Sequence, residues 1–147
     1  MPFELGYVST AVGAIGREDL AGILVRARAL NQRNGVTGLL LFYGGHFLQV
    51  LEGSEEAVRE TFGRIRKDPR HHQVTVLFQE PVEHALYPDW TMGFQMLDGS
   101  ELLEFPSVDG RPKDLSAMSR DIGRAKRFLL HMRRSGLDPA KELDLPA

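Results

Sequence analysis

The 147-residue chain contains no cysteine. Disulfides, thiolate metal sites, iron–sulfur clusters, thiol nucleophiles and cysteinyl adducts to a bound group are therefore excluded. The composition suits a reducing compartment. Long apolar runs are also missing, and none reaches the roughly 18 residues that a membrane span requires. The opening MPFELGYVSTAVG lacks the basic start and apolar core of a secretory signal, so a cytoplasmic location is expected. Charge of one sign is scarce: 18 basic residues stand against 20 acidic ones, a net charge of −2. A whole-molecule field of that size recruits neither nucleic acid nor a membrane.

What is present is ordinary for a globular chain, with 42% hydrophobic and 26% charged residues. A chain of this length buries roughly 68–70% of its unfolded surface, enough for a core without staples. The charge is unevenly spread. Residues 111–147 hold nine of the 18 basic residues and five of the 20 acidic ones, so this quarter is net +4 and the rest net −6. The shift follows the turn signal Asp109-Gly110-Arg111-Pro112. The expected organisation is a main domain over residues 1–97 and a helical extension over 98–147. No internal repeat or low-complexity tract is evident.

Phe3, Leu5 and Tyr7 alternate with Glu4, Gly6 and Val8, the period of a first strand. Residues 17–33 read as a helix with acids at its start, an apolar stripe of Leu20, Ile23, Leu24 and Ala27, and Asn34-Gly35 at its end. Val36–Tyr43 and His46–Leu51 read as strands joined by Gly44-Gly45. Ser54 caps a second helix, with Val58, Phe62 and Ile65 inward and Pro69 as its stop. Val74–Phe78 and Thr91–Met96 complete the set as fourth and fifth strands. The order β-α-β-β-α-β-β predicts an α+β, ferredoxin-like sandwich with both helices on one face of a mostly antiparallel sheet. The hairpin is apolar on both sides, so the second face needs cover from the C-terminal segment, a second subunit, or both.

Three polar residues interrupt the apolar pattern. Gln49 shares a strand face with Phe47 and Leu51, Asn31 falls on the first helix's apolar stripe, and Tyr7 shares a face with Phe3 and Leu5. An unpaired buried amide costs on the order of 1–3 kcal/mol, so these groups need each other or a ligand. A phenol, two amides and apolar walls suit a flat heteroaromatic ligand bearing carbonyl and ring-nitrogen groups. The second helix could add Arg64 and Asp68, i,i+4 neighbours on the flank of its apolar stripe. Each has an ordinary explanation as well. Tyr7 could be core with its hydroxyl at the rim, Asn31 a helix-end contact, and Arg64 with Asp68 a solvated pair. Gln49, an amide at a strand centre between bulky apolar neighbours, is the hardest to explain that way.

The segments NQRNGVTGLLLFYGGHFLQVLEG, VRETFGRIRKDPRHHQV and YPDWTMGF resemble the BLUF family, the flavin-binding blue-light sensors. The resemblance runs from about Pro2 to Leu97. It implies a noncovalent flavin, FAD with FMN or riboflavin as alternatives, lying between the two helices. By position it makes Tyr7 the photoactive tyrosine, Gln49 the switching glutamine and Asn31 the flavin-binding asparagine. Arg64 and Asp68 fall at ring-contact positions, Ile23 and Ile65 at the aliphatic positions that sandwich the ring. Trp90 and Met92 match a fifth-strand pair that responds to the glutamine. The function implied is a photoreceptor rather than an enzyme, with electron and proton transfer from Tyr7 through Gln49 as its trigger.

The signal is expected to leave through the fifth strand and the C-terminal segment to an unidentified downstream protein. There Leu115, Met118, Ile122, Ala125, Leu129 and Met132 follow a 3-4-3-4-3 spacing suited to packing or pairing helices, and a homodimer or higher homo-oligomer is expected. The basic residues of that segment read as a solvated face rather than a nucleic-acid site. His71-His72 with His84 lack a carboxylate to complete a ligand set, so no metal is expected. Two rivals remain open: an acyl-phosphate-type hydrolase, which needs an anion-binding loop within Ala11–Gly16, and a flavin-free interaction module.

Overall fold

The computed structural model describes residues 1–88, 91–96 and Leu129. Residues 1–88 and 91–96 form five strands and two helices in the order β1 (Phe3–Ala11), α1 (Arg17–Asn34), β2 (Thr37–Tyr43), β3 (His46–Gly53), α2 (Glu55–Arg66), β4 (His71–Pro81) and β5 (Gly93–Met96). They form one sheet in the order β4-β1-β3-β2-β5. All neighbours are antiparallel except β2 and β5, which run parallel. This is the ferredoxin-like α+β arrangement with an added edge strand.

Local chemistry sets the boundaries. Gly44 and Gly45 both take positive φ, 59° and 81°, as a two-residue turn matched to strand twist requires. Gly35 ends α1 at φ 72°, and its N–H donates to the Asn31 carbonyl. At the other end of that helix the Asp19 carboxylate accepts the Gly16 N–H at 3.0 Å. Ser54 Oγ caps α2 by accepting the Ala57 N–H at 3.2 Å. That helix stops at Arg66, so Asp68 lies beyond it, where its carboxylate accepts the N–H of Arg70 at 2.9 Å. Pro69 biases Asp68 away from helical backbone, which favours this turn over another helical step.

Strand β4 is longer than its apolar stretch. It pairs with β1 from Phe3 opposite Pro81 to Ala11 opposite His71. Apart from the half-buried His71 the extension is exposed, because an edge strand needs only its backbone ladder to persist. Strand β5 begins two residues later than the sequence pattern suggests, at Gly93.

Alternation along the strands separates two cores. Phe3, Leu5, Tyr7, Leu40, Phe47 and Leu51 pack beneath Leu20 and Leu24 of α1 and Val58 and Phe62 of α2. On the other face Val8, Leu39, Leu41, Leu48, Val50 and Leu77 pack with Tyr87 and Leu129. Leu129 is 2% exposed, so at least this position of the C-terminal seam lies against the outer face. Leu115, Met118, Ile122, Ala125 and Met132 lie outside the described residues, as does the rest of the proposed 98–147 extension.

Candidate ligand-binding site

The two helices cross one face of the sheet side by side, and a cleft of about 530 Å³ opens between them. Ile23, Ala27 and Asn31 line it from α1, each four residues from the next. Thr61, Arg64 and Ile65 line it from α2, and Asp68 and Arg70 from the turn that follows. Gln49 of β3 forms part of its floor. A smaller cavity of about 80 Å³ continues towards Tyr7, Phe47 and His71. Trp90 lies outside the described residues.

Antiparallel register places Tyr7 of β1 directly opposite Gln49 of β3. Their side chains share the inner face, and the Tyr7 hydroxyl donates to Gln49 Oε1. Gln49 Nε2 donates to Met92 Sδ at 3.3 Å. The amide orientation follows from chemistry. A thioether has no proton to give, so the nitrogen end must face Met92 and the oxygen end is left for the phenol. All three side chains are buried, at 3%, 4% and 1% exposure. Burial, with the Asp68 carboxylate adding to it, pushes the Tyr7 phenol far above its ordinary value. Tyr7 is therefore held as a neutral proton donor.

Asn31, 2% exposed, sends its side-chain N–H to the Thr91 carbonyl at 2.7 Å. Three residues earlier, Arg28 Nε donates to the Met92 carbonyl at 2.9 Å. Two side chains on one flank of α1 thus grip consecutive carbonyls just before β5. Arg64 and Asp68 do not pair with each other. Arg64 bonds Glu60 at 3.1 Å and Asp68 engages Arg70. That Arg70 contact holds the Asp68 carboxyl below its usual range.

Several contributing residues escape a reading of the sequence. His71 bridges Ser9 Oγ at 2.7 Å and the Ile65 carbonyl at 2.6 Å. Glu52, 1% exposed on the outer face, accepts the N–H groups of Leu86 and Tyr87 at 2.7 and 2.9 Å. The hydroxyl of Thr61 is buried in the cleft wall without a hydrogen-bond partner among the described residues. Thr61 was findable, since it falls three residues after Val58 and four before Ile65 on an apolar stripe. An anion site in the loop after β1 finds no support. The N–H of Ala11 is committed to the Gly45 carbonyl and that of Val12 to Arg70.

The fold and the cleft define a class, the ferredoxin-like α+β domains with a ligand cleft between two helices. The chain belongs to the BLUF family, whose members are described as sensors of blue-light using FAD and whose model matches residues 3–93. It is 40% identical over 89 residues to photoactivated adenylate cyclase subunit beta of Euglena gracilis, a match covering 60% of this chain and 10% of that protein. The chain spans about a tenth of the length of the curated relatives it matches first. Among solved structures, BlrB, a BLUF protein in its dark state, superposes with a TM-score of 0.70 at 30% identity, covering 91% of this chain and 95% of that one. The photo-activated state of BlsA gives a TM-score of 0.76 at 25% identity, covering 94% and 99%.

A flavin ring fits the donor set. It offers carbonyl and ring-nitrogen groups to the amides of Asn31 and Gln49, and apolar faces to Ile23 and Ile65. No helix among the described residues is long and apolar enough to cross a membrane.

Proposed function

We propose that this chain is a blue-light photoreceptor that binds FAD noncovalently between α1 and α2, with Tyr7 and Gln49 as its photoactive pair. The observation that carries this reading is the hydrogen-bonded chain Tyr7–Gln49–Met92 on the cleft floor. Ile23 and Ile65 would flank the ring, and Asn31, Arg64 and Asp68 would supply polar contacts at its edge. FMN and riboflavin share the ring and are alternative occupants.

When bound, the flavin supplies blue-light absorption and a strong one-electron oxidant. With the flavin bound, Tyr7 would be its electron donor, and Gln49 Oε1 is placed to take the phenolic proton along the existing hydrogen bond. Return of the electron from the flavin and of the proton from Gln49 would restore the phenol. Gln49 is left rotated, tautomerised, or both, at little steric cost because its two ends are nearly isosteric. In a rotated amide the oxygen end faces Met92, and a thioether cannot donate to it, so the Gln49–Met92 contact is lost. Met92 is unbranched and able to repack, which makes it the first receiver of the change. Trp90 is the other proposed relay residue.

The signal then passes along residues 91–96 to residues 98–147 and to a downstream protein, with a homodimer or higher homo-oligomer as the working assembly. The chain acts as a sensor and not as an enzyme. Absorption spectroscopy tests the reading. The purified protein should be yellow, or become so with FAD, and its flavin band should shift to the red under blue light. Tyr7→Phe should bind flavin and lose the shift. Failure to take up any flavin, or a normal shift in Tyr7→Phe, overturns the proposal.

A further inference from the structure

His71 opens β4, beside the cavity that leads to Tyr7, and both of its ring nitrogens are engaged. Nε2 meets the Ile65 carbonyl at 2.6 Å. A carbonyl only accepts, so Nε2 carries the proton. In the neutral ring Nδ1 is then a lone pair, and the Ser9 hydroxyl at 2.7 Å donates to it. The result is a directed chain, Ser9 O–H to Nδ1 and Nε2–H to the Ile65 carbonyl. Its two ends belong to different walls of the site. Ser9 lies on β1, two residues beyond Tyr7, and is itself 2% exposed. Ile65 lies in the last turn of α2 and lines the cleft with its side chain. The imidazole also packs in T-shaped contact with the rings of Tyr7 and Phe47, each 6.2 Å away between centroids.

We infer that His71 is a positioning residue, a rigid spacer that sets the distance between the strand bearing Tyr7 and the helical wall against which a flat ligand lies. An imidazole suits this task. It is planar, has donor and acceptor at opposite ends, and loses little rotamer entropy when fixed at both. A leucine of similar bulk fills the space and makes neither bond. The inference rests on the reading of Tyr7 as photoactive, because only then does its spacing to the cleft wall govern a light response.

The test combines a cycle of His71→Leu and Ser9→Ala with nitrogen NMR of the histidine ring in the wild type, above the ordinary histidine titration range. Both variants should still take up FAD and turn yellow. Recovery in the dark should accelerate roughly three- to tenfold in His71→Leu, the effect of losing one or two net hydrogen bonds on a barrier. Ser9→Ala should change it in the same direction by less, and the double variant should match His71→Leu, since both act through one tie. The ring should show a protonated Nε2 and a bare Nδ1 whose shift moves in Ser9→Ala. Wild-type recovery in His71→Leu, independent effects of the two substitutions, or a protonated Nδ1 overturns the inference. A wild-type protein that shows no light response refutes the photoreceptor reading instead. The tie is then judged on the NMR signature and on non-additivity of the two substitutions in thermal unfolding.

Discussion

Replacing Gln49 by leucine and then removing the hydroxyl that the leucine strands gives a test with an unusual sign. Gln49→Leu deletes the acceptor of the Tyr7 hydroxyl and the donor to Met92 Sδ. The hydroxyl is left in a place only 3% exposed, and a buried donor without a partner costs about 1–3 kcal/mol. The lost contact to sulfur costs less, because a thioether is a weak acceptor. A leucine of nearly the same volume returns some apolar burial, which leaves a net loss of about 1–2 kcal/mol. For a domain of about 100 residues each kcal/mol moves Tm by roughly 4–8 °C, so a fall of about 5–15 °C is expected. Adding Tyr7→Phe removes the orphan itself. When both partners of a buried hydrogen bond become apolar, the change approaches neutrality. Tyr7→Phe/Gln49→Leu should therefore be more stable than Gln49→Leu, with a coupling energy of about 1 kcal/mol or more. Thermal unfolding followed by circular dichroism, in the dark and at fixed FAD excess, measures it, with the FAD affinity of each variant determined alongside, because stabilisation by bound ligand depends on Kd as well as on concentration. A double variant as unstable as the sum of the two singles refutes the argument.

Two further outcomes follow from groups already described. Unfolding returns the Tyr7 phenol from its raised value to about 10, so above that pH the unfolded chain sheds a proton that the folded one keeps. The stability held below pH about 10 should decline as pH rises, and Tyr7→Phe should remove part of that decline in denaturant titrations run across the alkaline range. Glu52→Ala should cost about 1–3 kcal/mol by freeing two backbone donors, with the loss of amide exchange protection concentrated at Leu86 and Tyr87. Protection unchanged at those two amides would show that the carboxylate does not hold them.

The sheet was legible because its signals are local. Period-two alternation, the Gly44-Gly45 turn, the Ser54 cap and the Gly35 stop each depend on residues adjacent in sequence, and together they admit few topologies. The polar interruptions Tyr7, Gln49 and Asn31 were legible by the same logic, since a polar group on an apolar stripe stands out. Residues outside the stripes were not. Arg28 looks like any helix-surface cation, and only the fold brings the Met92 carbonyl to it across 64 positions. His71 reads as one of two adjacent histidines until β1 and α2 converge on its two nitrogens. Glu52 reads as a strand-end charge, and its burial depends on a loop crossing the outer face. Asp68 misled in a different way. Helical spacing relates it to Arg64, but α2 ends at Arg66 and the neighbour it engages is Arg70.

The grip of α1 on the backbone ahead of β5 bears on how that strand can move. A β-strand can slip along its neighbour by two residues and keep the same side chains inward, a displacement of about 6.6 Å. For β5 such a slide would carry the carbonyls of Thr91 and Met92 away from Asn31 and Arg28 together. It would also take Phe94, which is fully buried, out of its place opposite Leu40. Gradual sliding is therefore closed to this edge strand. It is latched or unlatched, so the glutamine rearrangement proposed above would act on a catch with two settings.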